Sequence, residues 1–418
     1  MIKSTALKFM GIVVFLFSLS VHADVIEVNC SQGHELQAAV GQASENTTIK
    51  VTGTCNGPVE ITKNGIKLFG GDGSSKAIIQ KPNYIPFPVN LLVIDGATRV
   101  EVSGFELRNG LSGVDGKGNA SFTLDSVNII DNIMGINLSS ATAALHDVVI
   151  TDNGVRVAAV GLNAVDRASV IVSGTVEISN ILAFAINLLS NSSLKIDKNG
   201  TLNSHHNLMG GQISVNSSFF VDEGASANFY DNQLIGFSIN TGSTGMLFNS
   251  NLTTRNNGLD GLDVVSAANF EVDGMSQIIS ENNGREGISV DNSTINLFGF
   301  FSTAPGFPKI TSNNNGSNGF QIEASSKLDI GRNSSIIALN NGKAGVSLDD
   351  GSSAFLQSSD INNNQTSATN ENVTADLIAT FGSRVTFSNA NNIGLAACDV
   401  SSISRGDVIC KKGNVFGE

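Results

Sequence analysis

The chain has 418 residues, of which 15% are charged and 6% aromatic, with no Trp and a formal net charge of −13. A hydrophobic share of 41% supports a sizeable core and excludes a disordered polar chain. The acid excess argues against nucleic-acid binding, which needs Lys and Arg to neutralise phosphates.

The first 23 residues read as a secretory signal peptide. Lys3 and Lys8 are its positive region, Phe9 to Ser20 its apolar run, and Val21-His22-Ala23 its cleavage site. The apolar run falls short of the about 20 residues a membrane span needs, and no other segment is long and apolar enough. The mature chain is therefore expected to be exported to the periplasm or beyond the cell, soluble, monomeric and without a membrane span. An oxidising compartment lets the four cysteines pair. They lie as two close pairs at opposite ends, Cys30 with Cys55 and Cys398 with Cys410. Three pairings are open in principle; local pairing is favoured because the ends of a repeating structure lie far apart. No C-x-x-C spacing suggests a metal.

Residues 24–57 read as an N-terminal cap. Asp24 to Asn29 alternate as a first strand, and His34 to Ala43 place Leu36, Ala39, Val40 and Ala43 at helical spacing. A short helix there would cover the open end of the strands beyond it. From Thr48 onward short strands succeed one another between Gly, Asn and Ser turns, interrupted by a Pro-rich loop, Lys81 to Pro88.

Residues 58–397 are organised by a repeat, Asn-Asn-Gly-x-x-Gly and then an apolar alternation. It begins at Asn256, Asn282, Asn314 and Asn340, with weaker copies at Asn207 and Asn232. Marked on Asn207, Asn232, Asn257, Asn283, Asn315 and Asn341, the steps are 25, 25, 26, 32 and 26 residues. The long step holds a Phe-rich insertion from Phe298 to Pro308. Each step carries three strand-like runs, such as Gly287 to Val290, Thr294 to Leu297 and Lys309 to Ser312. Three short strands per turn is the arithmetic of an all-β, right-handed parallel β-helix solenoid, with residues 398–418 as its C-terminal cap. Rungs stack about 4.8 Å apart, so the corner Asn residues can pass an amide hydrogen bond along the stack. The Gly after each Asn is expected to supply a positive φ.

The export signal, the capping helix, the Asn-Asn-Gly corners and the strand rhythm together resemble the right-handed parallel β-helix proteins of the pectate-lyase-like superfamily. The resemblance covers about Val25 to Cys410 and concerns the fold. It implies, for enzymes of that superfamily, carboxylates holding calcium with an Arg or Lys base, clustered Asp with Gly-His-Gly, or Asp-Pro-His. None of these strings occurs here, and Gly33-His34 is followed by Glu35 within the cap. No catalytic residue carries over.

From the residues themselves one column stands out. Two positions before the corner Asn, successive turns carry His205, Tyr230, Arg255 and Glu281; the next column holds His206, Asp231, Asn256 and Asn282. His, Tyr and Arg beside a carboxylate can bind an acidic sugar and move a proton. The plainer reading is a surface ion pair between Arg255 and Glu281 among turn residues. Asp131 with Asp152, or Asp349 with Asp350, offers carboxylates to calcium, which wants six to eight oxygens. Asp is also a routine turn residue, and no calcium motif is present, so no cofactor is expected. The residues thus favour an exported, non-catalytic solenoid that binds a polysaccharide or other cell-surface component or serves a structural role. The alternative is a lyase, hydrolase or epimerase acting on an acidic polysaccharide.

Overall fold

The computed structural model describes residues 25–153, 159–299, 307–331, 333–364, 376–388, 392–393, 396–398 and 404–405. The signal-peptide segment, the Cys398–Cys410 pairing and most of the Phe-rich insertion lie outside the described residues.

One turn shows how the sequence builds the coil. Thr244–Phe248, Asn251–Arg255 and Leu262–Val265 come in order, and Asn269–Asp273 then returns beside the first of them. Thr244 faces Asn269 and Phe248 faces Asp273 in parallel register. The strands pair in this way with those of the next turn, giving a parallel β-solenoid with, among the described residues, 28 strands in one sheet and 14 in the other. The larger sheet is two rows joined at their middle. Thr142–Thr151 and Ser169–Ser179 each run through both rows, pairing with two strands of a neighbouring turn. There the bend is made inside a strand, by a register shift after His146 and by left-handed residues at Asp147 and Gly174.

Alternation of side chains fills the coil. In Ser226–Tyr230, Ala227 and Phe229 point in, while Ser226, Asn228 and Tyr230 point out. Inside, Phe229 stacks on Phe237 at 4.4 Å between ring centroids, and Phe237 meets Phe219 at 4.7 Å. Each such buried ring contributes about 1.5–3 kcal/mol through the water it leaves.

The cap answers the same needs. The helix Leu36–Gln42 buries Leu36 and Val40 against the first rungs. The Lys63 ammonium donates to the carbonyls of Gly41 and Ala43 at 2.7 and 2.6 Å, filling the helix's C-terminal acceptors. Cys30 and Cys55 form a disulfide that ties the cap to the coil.

At the Asn corners the structure corrects one expectation. The positive φ falls on the first Asn of each repeat, 54° at Asn256, 57° at Asn282, 56° at Asn314 and 57° at Asn340, and not on the glycine. The glycine serves close stacking instead: a Cβ on Gly284 would lie 2.2 Å from the Gly258 carbonyl, and one on Gly316 would lie 2.3 Å from that of Gly284. Backbones of neighbouring rungs meet where any side chain would intrude.

The second Asn of each repeat is buried and forms a ladder. The amide of Asn207 donates to the Asn232 oxygen at 3.1 Å, and the step repeats to Asn257, Asn283, Asn315 and Asn341, each at 3.0 Å. It continues to Asn364 at 2.9 Å and from there to the carboxylate of Asp376 at 3.0 Å. Each side-chain oxygen also accepts the backbone N–H of the corner Asn one rung back.

Candidate functional site

The column on the larger sheet is brought together by strand pairing. His205 faces Tyr230, Tyr230 faces Arg255, and Arg255 faces Glu281 in register. The rings of His205 and Tyr230 lie nearly parallel with centroids 4.8 Å apart. The guanidinium of Arg255 sits over the other side of Tyr230, 5.4 Å from the ring centroid, within cation–π range. Both faces of Tyr230 are thus covered, and its hydroxyl end is what it offers outward. Burial, then the nearby Glu177 and Asp231 carboxylates, push the Tyr230 hydroxyl above its usual range. It stays protonated and donates.

The next column lies alongside. His206, Asp231, Asn256 and Asn282 all take left-handed backbone, and the Asn256 amide donates to Asp231 at 3.0 Å. The His205 and His206 Nδ1 atoms are 2.6 Å apart, so one carries the proton that the other accepts. His205 Nε2 is held by Glu177. Glu177 is in register with Asn203, two residues before His205, and reaches the ring diagonally. The plainer ion-pair reading does not hold: among the described residues Arg255 and Glu281 form none. Asp131, Asp152 and Asp350 each occupy a left-handed turn position. No group of three His, Cys, Asp or Glu side chains is placed to hold a metal among the described residues.

A second cluster, which the repeat pattern does not announce, lies around the corner on the 14-stranded sheet. It is made by the variable pairs of the repeat, Leu259-Asp260 and Arg285-Glu286, together with Asp263 on the strand Leu262–Val265. Arg285 bridges Asp260 at 3.0 Å and Glu286 at 2.7 Å. The backbone N–H of Glu286 donates to Asp260 Oδ1 at 3.0 Å. Burial, before any neighbouring charge, pushes the carboxyls of Asp260 and Asp263 up into the neutral range, to about 8 and about 7. Desolvation acts to raise the Glu286 carboxyl, but Asp260 and the Arg285 guanidinium beside it outweigh that and hold it below its usual value.

A contrasting acid sits in the same outward column of that sheet. Asp115 receives the amides of Asn90 and Asn137 at 2.9 and 2.8 Å. Asn163 and Asn187 continue this outer amide ladder at 2.9 Å per step.

No protein-family model and no curated protein matches the chain. Among solved structures it is similar to the A-module of the mannuronan C-5 epimerase AlgE4 of Azotobacter vinelandii, at 12% identity and TM-score 0.42, over 93% of this chain and all of that one. It is similar to the periplasmic alginate epimerase AlgG at 11% identity and TM-score 0.43, over 89% of this chain and 83% of that one. The pectate lyase Pel9A matches at 13% identity and TM-score 0.33, covering 84% and 83%. These likenesses are of fold alone. Among the described residues no helix is long and apolar enough to cross a membrane.

Proposed function

We propose that the chain is an exported carbohydrate-binding β-solenoid whose binding surface is the face bearing His205, Tyr230 and Arg255. The observation that carries this reading is the sandwich of Tyr230 between His205 and Arg255. It fixes one hydroxyl and one guanidinium on successive rungs, beside the carboxylates of Glu177 and Asp231. Such an array of fixed donors and acceptors suits sugar hydroxyls and a sugar carboxylate along a polymer laid parallel to the stack. A protonated, doubly covered Tyr230 is a poor base, which favours retention of the polymer over chemistry upon it. The Cys30–Cys55 bridge supports an oxidising compartment.

The contact of His205 with Glu177 favours one second reading. A ring nitrogen oriented by a carboxylate is how a general base is positioned, which would suit a lyase, hydrolase or epimerase of acidic polysaccharides. Affinity electrophoresis of the mature protein in gels holding alginate, pectin or a neutral glycan, with and without calcium, tests both. Retention by a polysaccharide, lost about tenfold in Arg255→Ala and weakened in Tyr230→Phe, supports the binding surface. Release of unsaturated or reducing ends, abolished by His205→Ala, would replace it with the enzyme reading. No retention and no product on any polymer would sink both.

A further inference from the structure

At one corner of the 14-stranded sheet three buried carboxyls, Asp260, Asp263 and Glu286, gather around the single guanidinium of Arg285. Asp263 is more than nine-tenths buried, and its Oδ1 meets no hydrogen-bond donor. In register it lies between Ser238 and Ser289, neither charged. Three residues back at the same corner stands the Asp260 carboxyl, itself buried, with a side chain only 4% exposed. Two ionised carboxylates do not bond to each other; one proton between them turns the contact into a hydrogen bond.

We propose that Asp260, Asp263 and Glu286 share one proton that locks the corner 258–261 to the rung above it, so that this stretch of the solenoid is a joint that tightens on protonation. Among the described residues Arg285 is the one cation paired with these carboxyls, and its single charge compensates one of them. The rung before contributes Gln233, Leu234 and Ile235 at the corner, and the rung after contributes Ser317 and Asn318, all uncharged. Glu323, farther along, feels the charge of Glu286 and adds another negative group. Loss of the proton leaves three buried carboxylates to a single guanidinium. The corner contact strained by that repulsion is the Gly261 N–H to the Glu286 carbonyl at 3.0 Å; the Glu286 N–H to Asp260 favours the ionised acid and opposes the proton. Asp115 marks the difference: it occupies the same column but receives two amides.

Linkage sets the direction. Asp260 and Asp263 bind their proton more tightly folded than unfolded, so between the usual carboxylate range and neutral pH the folded state holds more protons. Stability therefore falls as pH rises through that window and levels off above it. The lowered value of Glu286 acts oppositely, and only in the acid range.

The test compares melting temperature from about pH 5 to about pH 9.5 in wild type, Asp263→Asn and the control Asp115→Asn. Amide exchange of peptides spanning 256–290 is measured at both ends of the range. Wild type and Asp115→Asn should lose melting temperature and corner protection as pH rises; Asp263→Asn, whose amide supplies the donor permanently, should lose neither. Equal slopes in wild type and Asp263→Asn would overturn the shared proton. So would a melting temperature restored by calcium at alkaline pH in wild type but not in Asp263→Asn, which would make the cluster a metal site. Should Asp263→Asn fail to fold, difference infrared spectra of wild type decide: a protonated-carboxyl band that vanishes between the two pH values supports the proposal, and its absence refutes it.

Discussion

The side chain of Asn257 does four things at once. Its oxygen accepts the backbone N–H and the side-chain amide of Asn232, at 3.1 and 3.0 Å. Its nitrogen donates to the Phe229 carbonyl and to Asn283, at 3.2 and 3.0 Å. Asn257→Asp keeps the shape and turns that donor into an acceptor facing two acceptors, inside the coil. A loss of about 3 kcal/mol is expected, exceeding that of Asn257→Ala, because unmatched buried polar groups cost more than absent ones. Denaturant midpoints of the two variants would show it; equal midpoints would mean that the ladder tolerates a carboxylate anywhere along its length. At this scale the sequence was informative in part. The spacing of Asn residues announced a ladder, since only a fixed repeat length superimposes them. The φ values were not legible, because Asn and Gly are both compatible with the left-handed region and adjacent letters do not say which one occupies it. Close backbone approach, which reserves Gly284 and Gly316, appears only once rungs are stacked.

At the scale of elements, the column His205, Tyr230, Arg255 and Glu281 was readable because the corner Asn residues act as a ruler that strand register obeys. Glu177 was not, because its turn has Ile181 where later turns have the ladder Asn, so the ruler stops one rung short of it. The acid cluster escaped for a different reason. Asp260, Asp263, Arg285 and Glu286 stand at the variable positions of a structural motif, and their burial depends on how the corner wraps over the 14-stranded sheet. The cap is the element most open to test. Its disulfide closes a loop between residues 25 apart in sequence, and a native bridge of this kind typically contributes about 2–4 kcal/mol. In Cys55→Ser the strand Val25–Asn29 and the helix Leu36–Gln42 should exchange their amides ahead of the rest of the coil. Rungs near Asn283 should keep wild-type protection, since each turn contacts only its neighbours. Uniform loss of protection would show instead that the coil melts as one unit.

For the whole molecule, the solenoid grows by turns that each satisfy the same contacts, so its length is adjustable in steps. Deleting Asn315 through Asn340 removes one repeat of 26 residues and joins Asn314 to Asn341 in the same corner geometry. The shortened chain is expected to keep its β circular dichroism and its retention by any polysaccharide that binds wild type. Its melting temperature should drop by a few degrees for the lost rung interface. A deletion one residue shorter, Asn315 through Leu339, should fail to fold, because it shifts the following strand by one and puts outward side chains into the interior. Comparable yields of folded protein from both deletions would contradict this register.

The inner ladder also has a direction. From Asn207 to Asn364 each amide donates forward, toward the later turn, and each oxygen accepts from the earlier one. A turn laid down last therefore presents a waiting donor, which a side-chain oxygen at the next corner can accept. Asp376 answers it without repeating it, since a carboxylate accepts and has no hydrogen to pass on. A change from nitrogen to oxygen in one side chain thus removes the forward donor at Asp376, and Asp376→Asn would restore it.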